Sequence, residues 1–586
     1  MNELAFRPHA VRFGTFEVDL KSHELRKHGL RLRLEEKLFQ ILELLLERPG
    51  QVINRRALRE KLWPDTHVGY EHSLNTAINK LRDLLGDSAQ SPRFIETLPR
   101  LGYRFIAPVL KPSRADHLNG RKMLAVLPLE DLGGNSDEEY FAEGLTEELI
   151  SHLGQLDPKR LGVIARTSAI QYKATKKSVG QIAQELNVGY VVEGSVRREG
   201  QRVRITAQLI EARDQTHLWS ASYDRGLYDV LGMQADVARQ VGKALACELL
   251  AEDPEKSAAF HPTAHEAYLR GRFYFGQRSE ESVQKALASF ELALRVETNC
   301  SRSLAGVADC CGLLCWFGAL SPGEAGPRAA AAATRAIEID PSLSEPHASL
   351  GLVEFWYEWD WQAAEEEFRR AIELNPSYAS ARQWYASYLS AMGRLDEAQG
   401  ELRRARELDP HSLILNMNAA DPFFLGRQFD RAAAHLNALL EQEPRFLPAL
   451  FNLGRIYIQQ GRYEEAIAAF DYVAQLSGNS QGRLALAQAY GYAGKPDEAR
   501  RILRKEMENT DGRYLASPMI AQIYLSLGED DKAFEWLRRG IEERSFWIAF
   551  LKMDPAYDSV RGHSGFQKLL KLANFITAPD SFAVAV

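Results

Sequence analysis

The hydrophobic residues between positions 70 and 85 recur with the period of an α-helix. Four of them form one stripe, which we expect to face a core: Leu74, Ile78, Leu81 and Leu85. The opposite side and its flank carry hydrogen-bonding groups: His72, Ser73, Thr76, Asn79, Lys80 and Asp83. Groups of this size can reach base edges in the major groove of DNA, and Arg82 is counted with them as a candidate contact. The same pattern fits an ordinary solvated helix, so periodicity alone does not choose between the two.

Two further helices precede this one, and a β-hairpin follows it. A helical pattern that starts near Leu34 ends at a Pro49-Gly50 turn, and the next helix stops at Trp63-Pro64. After the third helix, residues 94–97 are predicted to pair with residues 103–105.

The hairpin has an inner and an outer side. Strand alternation sends Tyr103 and Phe105 inward, across a turn that contains Pro99 and Gly102. Two arginines, Arg100 and Arg104, are then left to contact phosphate or the minor groove.

Residues 10–109 resemble the OmpR-type winged-helix domain over its whole length. Its motifs occur in order: Val11-Arg12-Phe13-Gly14, Arg48-Pro49-Gly50-Gln51-Val52-Ile53, Leu58 to Trp63, Ile78-Asn79-Lys80-Leu81-Arg82 and Gly102-Tyr103-Arg104-Phe105. The chain departs from the family at Pro99-Arg100, where many members have Arg-Gly, and at Glu35, where many have a Thr or Ser cap, so the register of the wing stays open. The Leu-Pro-Arg turn is similar to that of CadC-like regulators, in which the DNA-binding domain comes first and no receiver precedes it. The resemblance implies duplex DNA and RNA polymerase as partners.

The second half of the chain repeats itself. Turn residues follow one another at steps of 35, 34, 34 and 34 residues: Pro341, Pro376, Pro410, Pro444 and Gly478. One unit matches the tetratricopeptide pattern especially well, through Leu453, Gly454, Tyr457, Gly461, Ala466 and Phe470. The resemblance implies an α-solenoid that holds a protein or peptide on its concave face. The aromatic run 355–361 is interpreted as core rather than as a recognition patch.

Residues 122–250 predict an α/β unit. We expect strands at 124–129 and 161–165, helices at 138–153, 178–186 and 227–249, and a hairpin of 190–197 with 203–211. In the hairpin, alternate residues should point inward: Val203, Ile205, Ala207 and Leu209. The run from Tyr190 to Arg198 resembles the TolB N-terminal-like domain, which lies between regulatory and tetratricopeptide modules in many bacterial proteins. We expect this unit to sense a ligand or to contact a second subunit, which leaves a homodimer open.

No catalytic set emerges from the sequence. The Gly133-Gly134 loop lacks the Lys-Ser or Lys-Thr that completes a P-loop, and Glu193-Gly194-Ser195 lacks the second glycine of a nucleophile elbow. Four cysteines cluster without a Cys-x-x-Cys pair or spaced histidines: Cys300, Cys310, Cys311 and Cys315. We therefore predict no enzyme activity, no cofactor and no metal, with buried thiols favoured over a redox switch.

Charge is divided unevenly along the 586 residues. Residues 1–112 carry 19 basic and 14 acidic side chains, a net charge of +5, whereas the whole chain has −7 and the remainder therefore −12. The positive end is the part that would meet DNA.

The length suggests about four domains. We divide the chain into a winged helix (1–112), a linker (113–121), the α/β unit (122–250), a linker (251–263), the repeat array (264–575) and a tail (576–586), a multidomain and mainly α architecture.

The sequence favours a cytoplasmic protein. Residues 1–10 have no basic stretch followed by an apolar core, which argues against a secretory signal. The apolar stretch 303–323 is interrupted by glycines and lies within the repeats, so a buried helix is preferred to a membrane span, and a membrane association is not expected.

The combined hypothesis is a DNA-binding transcriptional regulator, controlled through its middle unit and its repeats. Two alternatives stay open. One is an interaction scaffold in which the winged helix serves for docking, and the other is a membrane-anchored CadC-like sensor.

Overall fold

The computed structural model describes residues 10–107, 121–245 and 261–575. Within these ranges it leaves out residues 14–15, 20–22, 28–29, 33, 48–49, 51, 63–69, 89–91, 99–100, 134–138, 158–159 and 509–512. The chain divides into two compact units, Met1–Gly120 and Arg121–Val586.

The described residues of the first unit form two antiparallel sheets and three helices. One sheet has the order β1-β2-β3-β4 and precedes the helices: β1 (Ala10–Phe13), β2 (Phe16–Asp19), β3 (Glu24–Lys27) and β4 (Leu30–Leu32). The helices are α1 (Glu36–Glu47), α2 (Arg55–Leu62) and α3 (Tyr70–Leu85). The second sheet has the order β5-β7-β6: β5 (Val52–Asn54), β6 (Ile95–Leu98) and β7 (Gly102–Phe105). This arrangement confirms the predicted winged helix.

The core of this unit is formed by the residues that periodicity predicted. The stripe of α3 is buried, with Leu74 and Leu81 fully excluded from solvent. Tyr103 and Phe105 of the hairpin point inward beside it. The close approach of β5 explains Gly102, because a Cβ at this position would lie 2.0 Å from the carbonyl oxygen of Ile53.

The second unit begins with a mixed sheet of the order β10-β8-β11-β12-β13, with β9 paired to β11. Its strands are β8 (Lys122–Val126), β9 (Glu130–Asp131), β10 (Leu161–Val163), β11 (Tyr190–Glu199), β12 (Arg202–Glu211) and β13 (Thr216–Gly226). Its helices are α4 (Glu139–Leu156), α5 (Arg166–Ala169), α6 (Val179–Leu186) and α7 (Val230–Ala244). Helices α4 and α7 cover one face of the sheet, and α6 covers part of the other.

The predicted hairpin is confirmed, but the sequence interpretation missed a strand. Val203, Ile205, Ala207 and Leu209 are buried on the helix-covered face. The sequence predicted no element at residues 216–226, whereas they form β13, which pairs with β12 along its length. The helix itself begins only at Val230, after a 3-10 turn at Leu227–Asp229.

A solenoid of helix pairs follows. Its helices are α8 (Pro262–Gly276), α9 (Glu280–Val296), α10 (Ser301–Trp316), α11 (Pro322–Ile339), α12 (Ser344–Val353), α13 (Trp361–Leu374), α14 (Ala379–Met392), α15 (Leu395–Leu408), α16 (Leu413–Asn418), α17 (Asp421–Leu425), α18 (Phe429–Gln442), α19 (Leu447–Gln459), α20 (Tyr463–Ser477), α21 (Ser480–Tyr492), α22 (Pro496–Glu508), α23 (Ser517–Ser526), α24 (Asp530–Glu542) and α25 (Ser564–Leu572). Small residues allow the helices of a pair to approach closely. At Gly454 of α19, a Cβ would lie 2.7 Å from the ring of Phe470 in α20.

The solenoid closes on itself through aromatic side chains. Trp316 at the end of α10 stacks on Phe546 with ring centroids 5.1 Å apart, and on Trp547 at 5.9 Å. Phe355 and Tyr357 of the aromatic run are buried nearby, which confirms its interpretation as core. The four described cysteines are free thiols and are buried, as predicted. Among the described residues, no helix is long and apolar enough to cross a membrane.

Helix α4 joins the sheet to the solenoid. It lies along the first helices of three successive pairs, where Glu148 meets His265 of α8 at 3.0 Å and Arg302 of α10 at 3.1 Å. One turn further on, Ser151 donates to Glu345 of α12 at 2.9 Å. Helix α4 therefore covers part of the surface of the repeat array.

A second contact ties the other end of the sheet to the repeats. The backbone N–H of Ala165 donates to the carbonyl of Leu408 at 2.7 Å, and Ser168 donates to the carboxylate of Asp409 at 2.5 Å. The middle unit thus contacts the first repeats and the turn after α15, so the described residues of the second unit form one body.

The Glu148 cluster generates a prediction for stability. Burial alone would raise the pKa of Glu148, but the charges of His265 and Arg302 and the hydrogen bond from His265 lower it to about 2. A depressed pKa stabilises the fold above the unfolded-state value of 4.5, and this contribution is lost as pH falls from 4.5 towards 2. Glu148→Gln should lower the free energy of unfolding at pH 7 by about 3 kcal/mol, because it leaves the partly buried Arg302 guanidinium without its counter-charge. Urea unfolding followed by circular dichroism measures this.

Glu281→Gln is the matched control. Glu281 pairs with Lys285 on the surface of α9, where its side chain is 80% exposed, so its loss should change stability little. Equal unfolding midpoints for the two variants would contradict the role given to Glu148.

Candidate DNA interface

Helix α3 presents the polar side that the sequence predicted. Ser73, Thr76, Asn79 and Lys80 are exposed, opposite the buried leucine stripe. The backbone of His72 belongs to α3, but its side chain lies outside the described residues. The exposed groups are hydroxyl, amide and ammonium, which are the donors and acceptors used to contact base edges and phosphates.

A side chain that the sequence interpretation missed connects this surface to the rest of the domain. Asn75 of α3 accepts hydrogen bonds at Oδ1 from the hydroxyl of Tyr103 at 2.7 Å and from Nη1 of Arg55 at 3.1 Å. The Arg55 guanidinium also lies 5.1 Å from the centre of the Tyr103 ring. These contacts fix α3 against α2 and the hairpin. Asn75 stands next to Thr76 in the printed sequence, but nothing local signals that its partner is 28 residues away.

Lys80 occupies the end of the exposed side nearest to α1. Its Nζ lies 3.1 Å from Oε1 of Glu35, directly before α1, and both side chains are more than half exposed. An exposed pair of this kind contributes little stability. Lys80 can therefore exchange this carboxylate for a phosphate at low cost.

The position of the Arg82 side chain contradicts the prediction that it contacts DNA. It is buried, with 4% exposure. Its Nη2 donates to the carbonyl of Ile95 at 2.7 Å and to the hydroxyl of Thr97 at 2.8 Å. The physical reason is its position, because residue 82 falls on the flank of α3 that packs against β6. Arg82 therefore holds the hairpin onto the helix and does not belong to the exposed side of α3.

The hairpin has the predicted pairing, with Glu96 opposite Arg104 in adjacent strands. Nε and Nη2 of Arg104 donate to Oε2 of Glu96 at 2.8 and 2.5 Å, and both side chains are about one third exposed. Arg104 thus lies on the outer side of the sheet as predicted, with its guanidinium paired to a carboxylate. Arg100 and Pro99 lie outside the described residues.

One carboxylate organises the segment between α3 and the hairpin. Asp87 accepts hydrogen bonds from the backbone N–H groups of Arg93, Phe94 and Ile95 at 2.6, 3.1 and 2.7 Å, and from Ser88 at 2.9 Å. Partial burial would raise the pKa of Asp87, but these backbone donors lower it overall. Arg82 and Asp87 together set the position of the hairpin relative to the exposed side of α3.

Family models match this chain in three parts. Residues 29–105 match the model described as transcriptional regulatory protein, C terminal. Residues 120–229, the unit that resembles a TolB N-terminal-like domain, match the model described as HilA/YgeH-like transcriptional regulator, second domain. Tetratricopeptide repeat models match residues 358–419, 417–480 and 484–546.

One relative matches this chain over nearly the whole length of both proteins. The chain is 22% identical over 552 residues to the transcriptional regulator HilA of Salmonella typhimurium, covering 94% of this chain and 97% of HilA. It is 33% identical over 294 residues to the putative adenylate cyclase 3 of Rhizobium meliloti, covering 48% of this chain and 42% of that protein. The chain therefore spans less than half the length of the second relative.

Among solved structures, the DNA-binding domain of Klebsiella pneumoniae RstA in complex with the RstA box is 31% identical. The match covers 17% of this chain and 96% of that chain, with a TM-score of 0.16. The family-model match at residues 29–105 confirms the resemblance of the first unit to OmpR/PhoB-type domains. With a HilA-like second domain and tetratricopeptide repeats after it, the chain has the domain set of the winged-helix transcriptional regulators.

Proposed function

We propose that the chain regulates transcription by binding duplex DNA with helix α3 and the hairpin of its first unit. The observation that carries this proposal is the exposed polar side of α3, held by a fully buried stripe and by Arg82. Thr76 and Asn79 are assigned to base edges, and Lys80 and Arg104 to phosphates. Ser73, His72 and Arg100 remain predicted contacts on the same surface.

The remaining partners follow from this proposal. RNA polymerase is proposed as the protein through which the bound regulator acts, as the OmpR-type resemblance implies. A protein or peptide is proposed to bind the repeat array on a surface other than the part of α8, α10 and α12 that α4 covers. A target in chromosomal DNA supports a cytoplasmic location for the chain.

We propose that the chain is not an enzyme. The part shared with the putative adenylate cyclase 3 is less than half of that protein, and no nucleotide-binding or nucleophile motif stands in this sequence. Formation of cyclic AMP from ATP by the purified full chain would contradict this part of the proposal.

The phosphate contacts are tested by the salt dependence of binding. Lys80→Ala and Arg104→Ala should each weaken binding to every duplex and reduce the slope of log K against log salt by about one. Fluorescence anisotropy with labelled duplexes at several salt concentrations measures both quantities. Arg202→Ala is the matched control, because Arg202 is an exposed arginine paired with Asp224 in the other unit. A slope that is unchanged in both interface variants would overturn these assignments.

The base contacts are tested by the preferred sequence. Thr76→Ala and Asn79→Ala should relax the preference at individual base pairs, since each base-edge contact contributes about 1 to 3 kcal/mol of discrimination. Selection from a random duplex library, carried out with each variant, measures this.

Arg82→Ala separates the reading surface from its support. It should lower the melting temperature of the first unit, because the Ile95 carbonyl and the Thr97 hydroxyl lose their donor. The Arg82→Ala protein that remains folded should select the same DNA sequence as the parent protein does. If Arg82→Ala changes the preferred sequence while Thr76→Ala and Asn79→Ala do not, the assignment of reading and supporting residues is wrong.

A further inference from the structure

The sheet of the second unit ends in a long strand with an unprotected edge. Strand β13 pairs with β12 on one side, and among the described residues no strand pairs with its other side. Proteins usually protect such edges with lysine, proline or short strands. The central run Trp219-Ser220-Ala221-Ser222-Tyr223 contains neither charge nor proline. Exposed hydrophobic side chains flank this run, with Leu218 at 39% and Tyr228 at 68% exposure.

The direction of the outer backbone groups follows from the hydrogen bonds on the opposite side of the sheet. In β11, the carbonyl of Val192 accepts a hydrogen bond from the backbone N–H of Leu127 at 2.8 Å, and that of Val196 accepts one from Leu132 at 2.9 Å. The backbone N–H and C=O groups of the even-numbered residues of β11 therefore point away from β12. Backbone groups alternate along a strand. In the observed register, the backbone groups of Ala207 in β12 and Ala221 in β13 therefore point towards each other. The N–H and C=O groups of Ser220 and Ser222 point to the free edge.

The central run is nearly symmetric about Ala221. It reads aromatic, serine, alanine, serine, aromatic in either direction. A second strand, antiparallel to the first and related to it by a two-fold axis at Ala221, would place each Ser220 opposite the Ser222 of the other copy. The outward N–H and C=O groups of these two serines would then form hydrogen bonds with each other. Each Trp219 would then lie opposite a Tyr223 on the helix-covered face, where both rings already pack against the core. Aromatic pairs across strands are favourable, and a shift of two residues in either direction would lose both of them.

We propose that two copies of this chain form a homodimer by antiparallel pairing of their β13 strands about Ala221. The two sheets then become one continuous sheet, and the free edges disappear. The occupant is a second copy because the symmetry of the strand supplies a matching residue at every position of the run. This dimer goes beyond the proposed DNA binding and does not depend on it.

Cross-linking at the two-fold axis tests the register. Ala221→Cys in a full-length Cys247→Ser background should form a covalent dimer under mild oxidation, because residues opposite one another in a non-hydrogen-bonded pair have Cα atoms about 4.5 Å apart. The four buried native thiols are poor competitors, and burial raises the pKa of Cys311 and Cys315 to about 11.

Thr216→Cys in the same background is the control. In the proposed register the two copies of residue 216 lie ten residues apart along the strand pair, about 34 Å, and cannot cross-link. Efficient cross-linking at residue 216, or none at residue 221, would overturn the proposal.

The edge itself is tested in solution. Ser222→Pro removes an outward-facing N–H, which an edge strand tolerates, whereas Ser222→Ala retains it. Light scattering after size exclusion should show a dimer for the parent and for Ser222→Ala, and a monomer for Ser222→Pro. A monomeric parent at tens of micromolar, or a dimeric Ser222→Pro, would contradict the proposal. If Ser222→Pro unfolds by circular dichroism, the cross-linking result decides.

Discussion

The buried carboxylate of Glu148 is the constraint on which the second unit depends. It is 2% exposed and lies between His265 and Arg302, on different helices of the array. A buried charge of this kind must keep its partners, because separating them would leave each group without compensation. Helix α4 is therefore fixed to the array, and the sheet that packs on α4 is fixed with it. The HilA-like domain and the repeats consequently behave as one body rather than as two modules on a tether.

The first unit shows the same division between groups that support and groups that contact a ligand. Arg82 and Asp87 form hydrogen bonds within the domain, where they hold the hairpin against α3. Lys80 pairs with an exposed carboxylate, and Arg104 pairs with one that is about one third exposed. Groups of the second kind can change partner when DNA arrives, whereas groups of the first kind cannot do so without loss of the fold. Burial thus separates two arginines, Arg82 and Arg104, that sequence motifs treat alike.

Local patterns predicted the elements better than they predicted the contacts between them. The stripe of α3 and the alternation of β12 were found because one side of each element meets a core. Strand β13 was missed because its partly buried positions, Trp219, Ala221 and Tyr223, alternate with serines, and the strand contains no Val or Ile. The burial of Arg82 and the pairing of Glu148 depend on partners far along the chain, which periodicity cannot locate. The contact residues His72 and Arg100 were named from the motif alone, and their roles remain predictions.

The rigid second unit has a consequence for how a signal would reach DNA. Because α4 links the sheet to α8, α10 and α12, a partner bound to the array cannot move the repeats without also moving the sheet. The β13 edge lies at the end of that sheet, so the pairing of two copies would be carried by the same body that receives the partner. A change of only about 1 to 3 kcal/mol in the free energy of pairing would change the dimerisation constant by a factor of about 5 to 150. A change in the affinity of one copy for the other is sufficient to change how many winged helices meet the DNA together.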